Sequence, residues 1–253
     1  MQVQISAVII TFNEEKNIER CILSVKKVAD EILVVDSFST DQTKTLCEKH
    51  GVQFLEHAFD GHIQQKNWAK DQAKFNVVLS LDADEALDDT LVGEIEKVKR
   101  NWVSNAHKMN RLTNYCGKWI HHTSWYPDTK IRLFDRRVGK WDGLNPHDEY
   151  MVLTAEKVVH LKGDILHYSF YTRAEHLAQI EKFSSIGAQA LLEKGKRSNW
   201  LLVILKPMAR FVKNYFVGFG FLDGAQGFTI SRLSAYANYL KYKKLIHLQK
   251  QAN

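Results

Sequence analysis

The chain has 253 residues, 45% of them hydrophobic and 25% charged, enough to bury a full apolar core, which excludes a disordered chain or a miniature cross-linked scaffold. Its three cysteines, Cys21, Cys47 and Cys116, lie far apart and make no Cys-x-x-Cys, so neither a disulfide framework nor a structural zinc site is indicated and a reducing cytoplasm is expected. Lysine plus arginine number 35 against 29 acids, a net charge of +6 compatible with phosphates, nucleic acid or an anionic membrane face.

The amino-terminal run MQVQISAVIITFNEE has neither the basic flank nor the cleavage pattern of a signal peptide. Its apolar run Ile5 to Thr11 predicts a buried strand. A helix is expected over Glu14 to Lys27, with Ile18, Cys21, Ile22 and Val25 on one face. The alternation continues: strand Glu31 to Asp36, helix Asp41 to His50, strand Val52 to Glu56, helix Ile63 to Lys74, strand Asn76 to Leu81, helix Asp89 to Arg100. Continuous apolar strands separated by helices predict a parallel sheet covered on both faces. From Ala106 to Phe170 the helical pattern gives way to aromatics, histidines and short strand-like runs such as KIRLF and KVVHL. Helical spacing returns from Thr172, through WLLVILKPMARFVKNYF, to a last segment over Thr229 to Gln249. The long apolar stretch Asn199 to Phe221 is interrupted by Lys206, Pro207, Arg210 and Lys213, so no membrane span is expected. No linker or repeat divides the chain, which predicts one catalytic domain with a helical carboxy-terminal extension.

Asp82 and Asp84, in Ser80-Leu81-Asp82-Ala83-Asp84-Glu85, follow an apolar strand, and in an open α/β sheet that strand end faces the ligand crevice. Carboxylates there suit a hard divalent cation bridged to substrate phosphates, or a ribose; a solvated turn capping the next helix is the plainer alternative. A calcium-binding loop is excluded, because its fifth, sixth and twelfth positions would be Ala86, Leu87 and Gly93. A dinucleotide fold is excluded as well, because the turn after the first strand, Thr-Phe-Asn-Glu-Glu, lacks the required glycines. Asp36 ends the second strand, where a buried carboxylate needs a donor such as a nucleobase N–H. Ser39, Thr40 or Asp41 can cap the helix that follows. Lys66 and Asn67 sit near a predicted helix start, suited to a phosphate or simply solvated.

Together, Val8-Ile9-Ile10-Thr11-Phe12-Asn13-Glu14-Glu15, the Asp36 to Thr43 run, Gln65-Lys66-Asn67 and Leu81-Asp82-Ala83-Asp84-Glu85 resemble the inverting family-2 glycosyltransferases of the GT-A fold. The likeness is to the bacterial branch similar to lipopolysaccharide core β-glucosyltransferases. It extends to Trp125-Tyr126-Pro127-Asp128, Ile131-Arg132-Leu133-Phe134 and Phe221-Leu222-Asp223-Gly224. The resemblance implies a Rossmann-like, mostly parallel α/β sheet flanked by helices. It implies a glycosyltransferase domain over 1–170, with a nucleotide-sugar half (1–105) and an acceptor half (106–170), and a helical extension over 171–253.

By the same resemblance, Thr11, Phe12, Glu14 and Asp36 form the floor for the nucleotide base, with Ser37 where many relatives have a second aspartate. Lys66 approaches the donor diphosphate, Asp82 the ribose or metal, and Asp84 ligates Mg2+ or Mn2+. His167 resembles a third metal ligand or another active-site contact, and a structural histidine is its alternative. In Trp141-Asp142-Gly143-Leu144-Asn145-Pro146-His147-Asp148-Glu149, Asp148 takes the position of the general base, with Glu149 in reserve and a polar turn at Asn145-Pro146 as the plainer reading. Trp119, Trp125 and Tyr126 are candidates to stack on an acceptor sugar or to fill the core. Arg132 is a candidate for a donor or acceptor phosphate, or for a structural ion pair.

The expected activity is transfer of a hexose, glucose by this likeness, from a nucleoside-diphosphate sugar, UDP by this likeness, to a lipopolysaccharide core or other envelope glycan. The partners are then the donor and a lipid-linked saccharide, without nucleic acid. The location is the cytoplasm, with the basic apolar helices suited to the cytoplasmic face of the inner membrane. Nucleotidyl transfer to a sugar phosphate would want a basic glycine-rich loop where Thr11 to Glu15 supplies acid. A nucleotide-sugar-binding scaffold of the same fold is the non-catalytic alternative.

Overall fold

The fold is that of a computed structural model, which describes residues 2–144, 147–153 and 157–251. Two compact units emerge, residues 1–111 with 128–168, and residues 112–127 with 169–253. In chain order the first elements are β1 (Ile5–Thr11), α1 (Ile18–Val25), β2 (Glu31–Asp36), α2 (Thr43–Lys49), β3 (Gln53–Glu56), α3 (His62–Gln72), β4 (Val77–Asp82), β5 (Glu85–Leu87) and α4 (Asp89–Arg100). There follow β6 (Ala106–Tyr115), β7 (Lys118–Ile120), β8 (Asp128–Asp135), β9 (Gly139–Leu144), β10 (His147–Val152) and β11 (Val158–Phe170).

The strand order is β3-β2-β1-β4-β8-β6-β11-β5. Pairing is parallel from β3 to β4 and antiparallel at β4 with β8, β8 with β6 and β11 with β5. The parallel part explains the unbroken apolar runs, because both its faces are covered. Ile5, Ala7 and Ile9 of β1 pack with Ile18 and Ile22 of α1, whereas Val8 points the other way, toward Ala69 of α3, Phe134 and Trp141. Register sets Thr11 abreast of Asp36 and Ile10 abreast of Asp82, so the carboxyl ends of three strands finish together. The hairpin β9–β10 forms a separate antiparallel pair. The Asn145-Pro146 turn between its strands lies outside the described residues.

Helix α1 starts at Ile18, four residues after the sequence-predicted start, because the segment before it is tied to the loop after β2. The Asn13 and Glu14 N–H groups donate to Ser39 Oγ and Thr43 Oγ1, at 2.7 and 2.9 Å, and Thr40 N–H donates to Asn13 Oδ1 at 2.8 Å. Asn13 takes a left-handed backbone to do this, with φ 53°.

In the second unit β7 pairs with the end of β6 at Thr113 to Tyr115, and Tyr115, Ile120, Phe170 and Ile230 form a small core. Its helices are α5 (Arg173–Glu193), α6 (Trp200–Val212) and α7 (Gly224–Gln251), with a π-helical turn at Lys213–Val217 and a 3-10 turn at Gly220–Asp223 between the last two. A Thr172–Glu175 capping box opens α5, and the Asn199 side chain caps α6. Helix α7 packs on both α5 and α6. Among the described residues no helix is long and apolar enough to cross a membrane.

Gly163 in β11 has φ 89° and lies against the start of α4, where an added Cβ would overlap the Leu91 backbone nitrogen and Asp88 Oδ1. Asp88 caps α4 through Leu91 N–H at 2.6 Å and receives Asp164 N–H at 3.0 Å. Gly163→Ala is therefore expected to cost about 1–3 kcal/mol. Urea denaturation should show it as a lower midpoint.

Candidate functional site

The aligned ends of β1, β2 and β4 make a polar floor inside the first unit. Thr11 is buried and its Oγ1 has no partner among the described residues. The buried Asp36 carboxylate accepts the Ser39 backbone N–H at 2.7 Å and the Ser39 hydroxyl at 2.5 Å, so its donors come from its own loop and give it a structural share in that turn. Ser37 accepts a hydrogen bond from Gln65 Nε2 at 3.2 Å. Phe12 and Phe38 stand exposed at the same strand ends.

Glu14 lies near these groups and accepts Asn17 Nδ2 at 2.7 Å. Burial pushes its carboxyl from the usual 4.5 up to about 7, opposed by the Asn17 hydrogen bond and assisted by the negative charges of Asp84, Asp41 and Asp82.

The centre of the site is Lys66, only 3% exposed on α3. Its Nζ lies 3.0 Å from Asp82 Oδ1 and 2.7 Å from Asp148 Oδ2. It thereby joins the end of β4 to β10. The Trp141 ring lies beneath it, 4.7 Å from Nζ to the ring centroid. Asn67, next along α3, holds the Trp141 backbone in both directions: its Nδ2 donates to the carbonyl at 2.8 Å and its Oδ1 accepts the N–H at 3.0 Å. Burial works to raise the Asp82 pKa, but Lys66 and Arg132 outweigh it and hold the carboxyl far below the usual range.

Behind Asp82 lies a second ionic node. Glu85 accepts Arg132 Nη2 at 2.9 Å and Arg111 Nη1 at 3.3 Å through Oε1, and the Asp82 N–H at 3.0 Å through Oε2. Arg132 also reaches Asp82 Oδ2 at 3.2 Å, and Arg111 is fixed by Asp128 at 2.7 Å. Arg132 is buried as an ion-pair partner, with its Nε and Nη1 unpaired among the described residues. Sequence spacing marks Asp82 and Asp84 but gives no role to Glu85, Arg111, Asp128 or the Trp141 ring. The signal available for Glu85 was a third acid in a stretch otherwise patterned as buried strand.

Asp84 faces His167 of β11, with Oδ2 and Nε2 3.1 Å apart. Burial pushes Asp84 up, but the charge and hydrogen bond of His167 prevail and hold its carboxyl below the usual range. A carboxylate oxygen and an imidazole nitrogen whose proton a cation displaces are a donor pair that fits a divalent metal, although no group of three or more such donors is preassembled among the described residues. Glu149 is exposed and stands opposite Asp142 in the hairpin. Trp119, Trp125 and Tyr126 belong to the second unit. There Trp125 packs with Tyr115, Phe170 and His176, and Tyr126 meets the His121 ring.

Replacing Glu85 by alanine leaves two guanidinium groups without their shared carboxylate, and a loss of about 3–5 kcal/mol is expected in urea unfolding. The raised pKa of Glu14 sets a pH dependence. Between pH 4.5 and about 7 the unfolded chain has released this proton while the folded chain still holds it, so the folded state loses stability as pH rises through that window. Thermal melts of the wild type and Glu14→Gln should diverge across that window, the wild type falling relative to the variant. Parallel curves would show that Glu14 is not shifted.

A model of the family described as Glycosyl transferase family 2 matches residues 6–158. The chain is 31% identical to an uncharacterized glycosyltransferase of Rickettsia bellii (strain RML369-C), over 99% of this chain and 88% of that protein. It is 27% identical to the lipopolysaccharide core biosynthesis glycosyltransferase LpsC of Rhizobium meliloti (strain 1021), over 95% and 91%. Among solved structures, the mannosyltransferase PcManGT from Pyrobaculum calidifontis, in complex with GDP-Man and Mn2+, is similar with a TM-score of 0.55 and 15% identity, over 97% of this chain and 88% of that one, a likeness of fold. The model match over most of the chain and the full-length relatives place it: this protein belongs to glycosyl transferase family 2 and is a glycosyltransferase of the GT-A fold.

Proposed function

We propose that the protein transfers a hexose, glucose in the first instance, from a nucleoside-diphosphate sugar, UDP in the first instance, to a saccharide of the lipopolysaccharide core or another envelope glycan, with inversion at the anomeric carbon. The observation that carries this reading is the buried Lys66, whose ammonium touches both Asp82, at the strand end expected to face the donor, and Asp148, the expected base. The similarity to LpsC supports the class of acceptor.

In this reading Thr11, Phe12, Glu14, Asp36 and Ser37 receive the base, and Asp82 the ribose. Asp148 takes the proton from the acceptor hydroxyl as its oxygen bonds to the anomeric carbon, and the bond from that carbon to the diphosphate breaks with its electron pair leaving on the nucleotide. Lys66 keeps Asp148 oriented through Oδ2 and offers positive charge close to the departing phosphates. Asp84 and His167 would hold Mg2+ or Mn2+, which when bound supplies further positive charge to the leaving diphosphate. Arg132 acts through Asp82 and Glu85, fixing the carboxylate that faces the donor.

Asp148→Asn is the direct test, since it keeps the shape of the side chain and removes its basicity. The variant should retain the rise in melting temperature that UDP-glucose with Mn2+ gives the wild type, while turnover falls about 100-fold or more. Unchanged turnover would move the base to Glu149 or end the proposal, and a thermal shift with GDP-sugars in place of UDP-sugars would revise the donor.

A further inference from the structure

Residues 194–222 contain Lys194, Lys196, Arg197, Lys206, Arg210 and Lys213 and no aspartate or glutamate. The formal net charge of the whole chain is +6, so this segment contains all of it and the remaining residues balance. All six basic side chains are exposed. The same segment displays apolar side chains that a water-facing helix would bury. Trp200, Ile204, Met208 and Val212 recur every four residues along α6, with Leu201 and Leu205 beside them, and Trp200 and Met208 are 61% and 60% exposed. Val203 and Asn214 face inward instead. At 3.6 residues per turn the exposed apolar residues form one continuous face, and Lys206, Arg210 and Lys213 lie on the opposite, polar side of the helix, the division of an interfacial helix. The apolar face continues past the end of α6, where Phe216, Val217, Phe219 and Leu222 are exposed on the π-helical and 3-10 turns.

We infer that α6 and the turns after it form a docking surface for a lipid bilayer with anionic headgroups, lying in the plane of the interface. Two features select this occupant. Helix α6 has 13 residues, about 20 Å, against a hydrocarbon core about 30 Å thick, so it is too short to cross and is suited to lie at the surface with its apolar face inserted. The whole segment, from Lys194 through Lys213, carries charge of one sign, which an anionic headgroup layer complements and a second, equally basic copy of the segment does not. Trp200 at the start of α6 has the amphipathic ring that favours the headgroup level. The inference rests on the second unit alone and is independent of the transfer chemistry.

Flotation of the full chain with vesicles tests it. The wild type should float with phosphatidylcholine–phosphatidylglycerol vesicles at low salt, and much less with phosphatidylcholine alone or at raised salt. Two variants divide the apolar and charge contributions at exposed positions: I204E/M208E, and K206Q/R210Q/K213Q. Both should keep the wild-type melting temperature and the thermal shift with donor nucleotide. The first should lose flotation, and the second should partition about a hundredfold more weakly into the anionic vesicles. The inference is overturned if the wild type stays unbound with both vesicle types, or if either variant floats like the wild type. It is also overturned if sedimentation equilibrium finds a dimer that I204E/M208E dissociates, because the face would then join two copies of the chain.

Discussion

One buried ammonium group, that of Lys66, organises the candidate site of this protein. Asp82 and Asp148 come from β4 and β10, far apart in the chain, and two carboxylates converging in a poorly hydrated place would repel strongly without a cation between them. Lys66 supplies that cation. Its own desolvation is offset by two carboxylates and by the Trp141 ring, and the Trp141 backbone is gripped by Asn67 one residue further along α3. Helix α3, the β4 end and the β9–β10 hairpin are thus held by one local set of polar contacts. Within the unit, the geometry of Asp148 and of Asp82 is a single problem.

Behind this node the charges are layered. Glu85 has no direct view of solvent, yet it neutralises Arg111 and Arg132 together and fixes the backbone of Asp82. The result is a set of carboxylates pushed in opposite directions by their surroundings. Glu14 is raised by burial and by neighbouring negative charge, and Asp84 is lowered by His167 despite its burial. Carboxylates with separated proton affinities in one crevice can do different work at the same pH, one holding its proton while another remains a charged ligand.

The second unit follows a different physical logic. Its small aromatic core and the α5–α7 and α6–α7 packing leave the outer side of α6 apolar and uncovered. The same stretch, residues 194–222, carries six basic residues and no acid. Electrostatic attraction to an anionic layer and burial of apolar surface would act through the same few turns of helix.

The alternating periods of the first hundred residues determined the parallel part of the sheet, because a strand covered on both faces is apolar on both sides, as Ala7–Ile10, Ile32–Val35 and Val77–Leu79 are. The acids after β4 and the basic apolar character of residues 199–221 were equally legible, since each is a local property of a few consecutive residues. The runs KIRLF and KVVHL showed strand character that β8 and β11 bear out, but their antiparallel pairing and the whole of β6 were not legible, because their side chains alternate and include aromatics and charges that periodicity alone cannot assign to a face. Nor did any spacing announce that residues 112–127 join the carboxy-terminal helices in one compact unit. The pairing of Lys66 with Asp148, 82 residues away, and the sharing of Glu85 by two arginines were decided only by tertiary structure. A buried charge takes whichever opposite charge the folded backbone brings within reach, and distance along the chain says nothing of that.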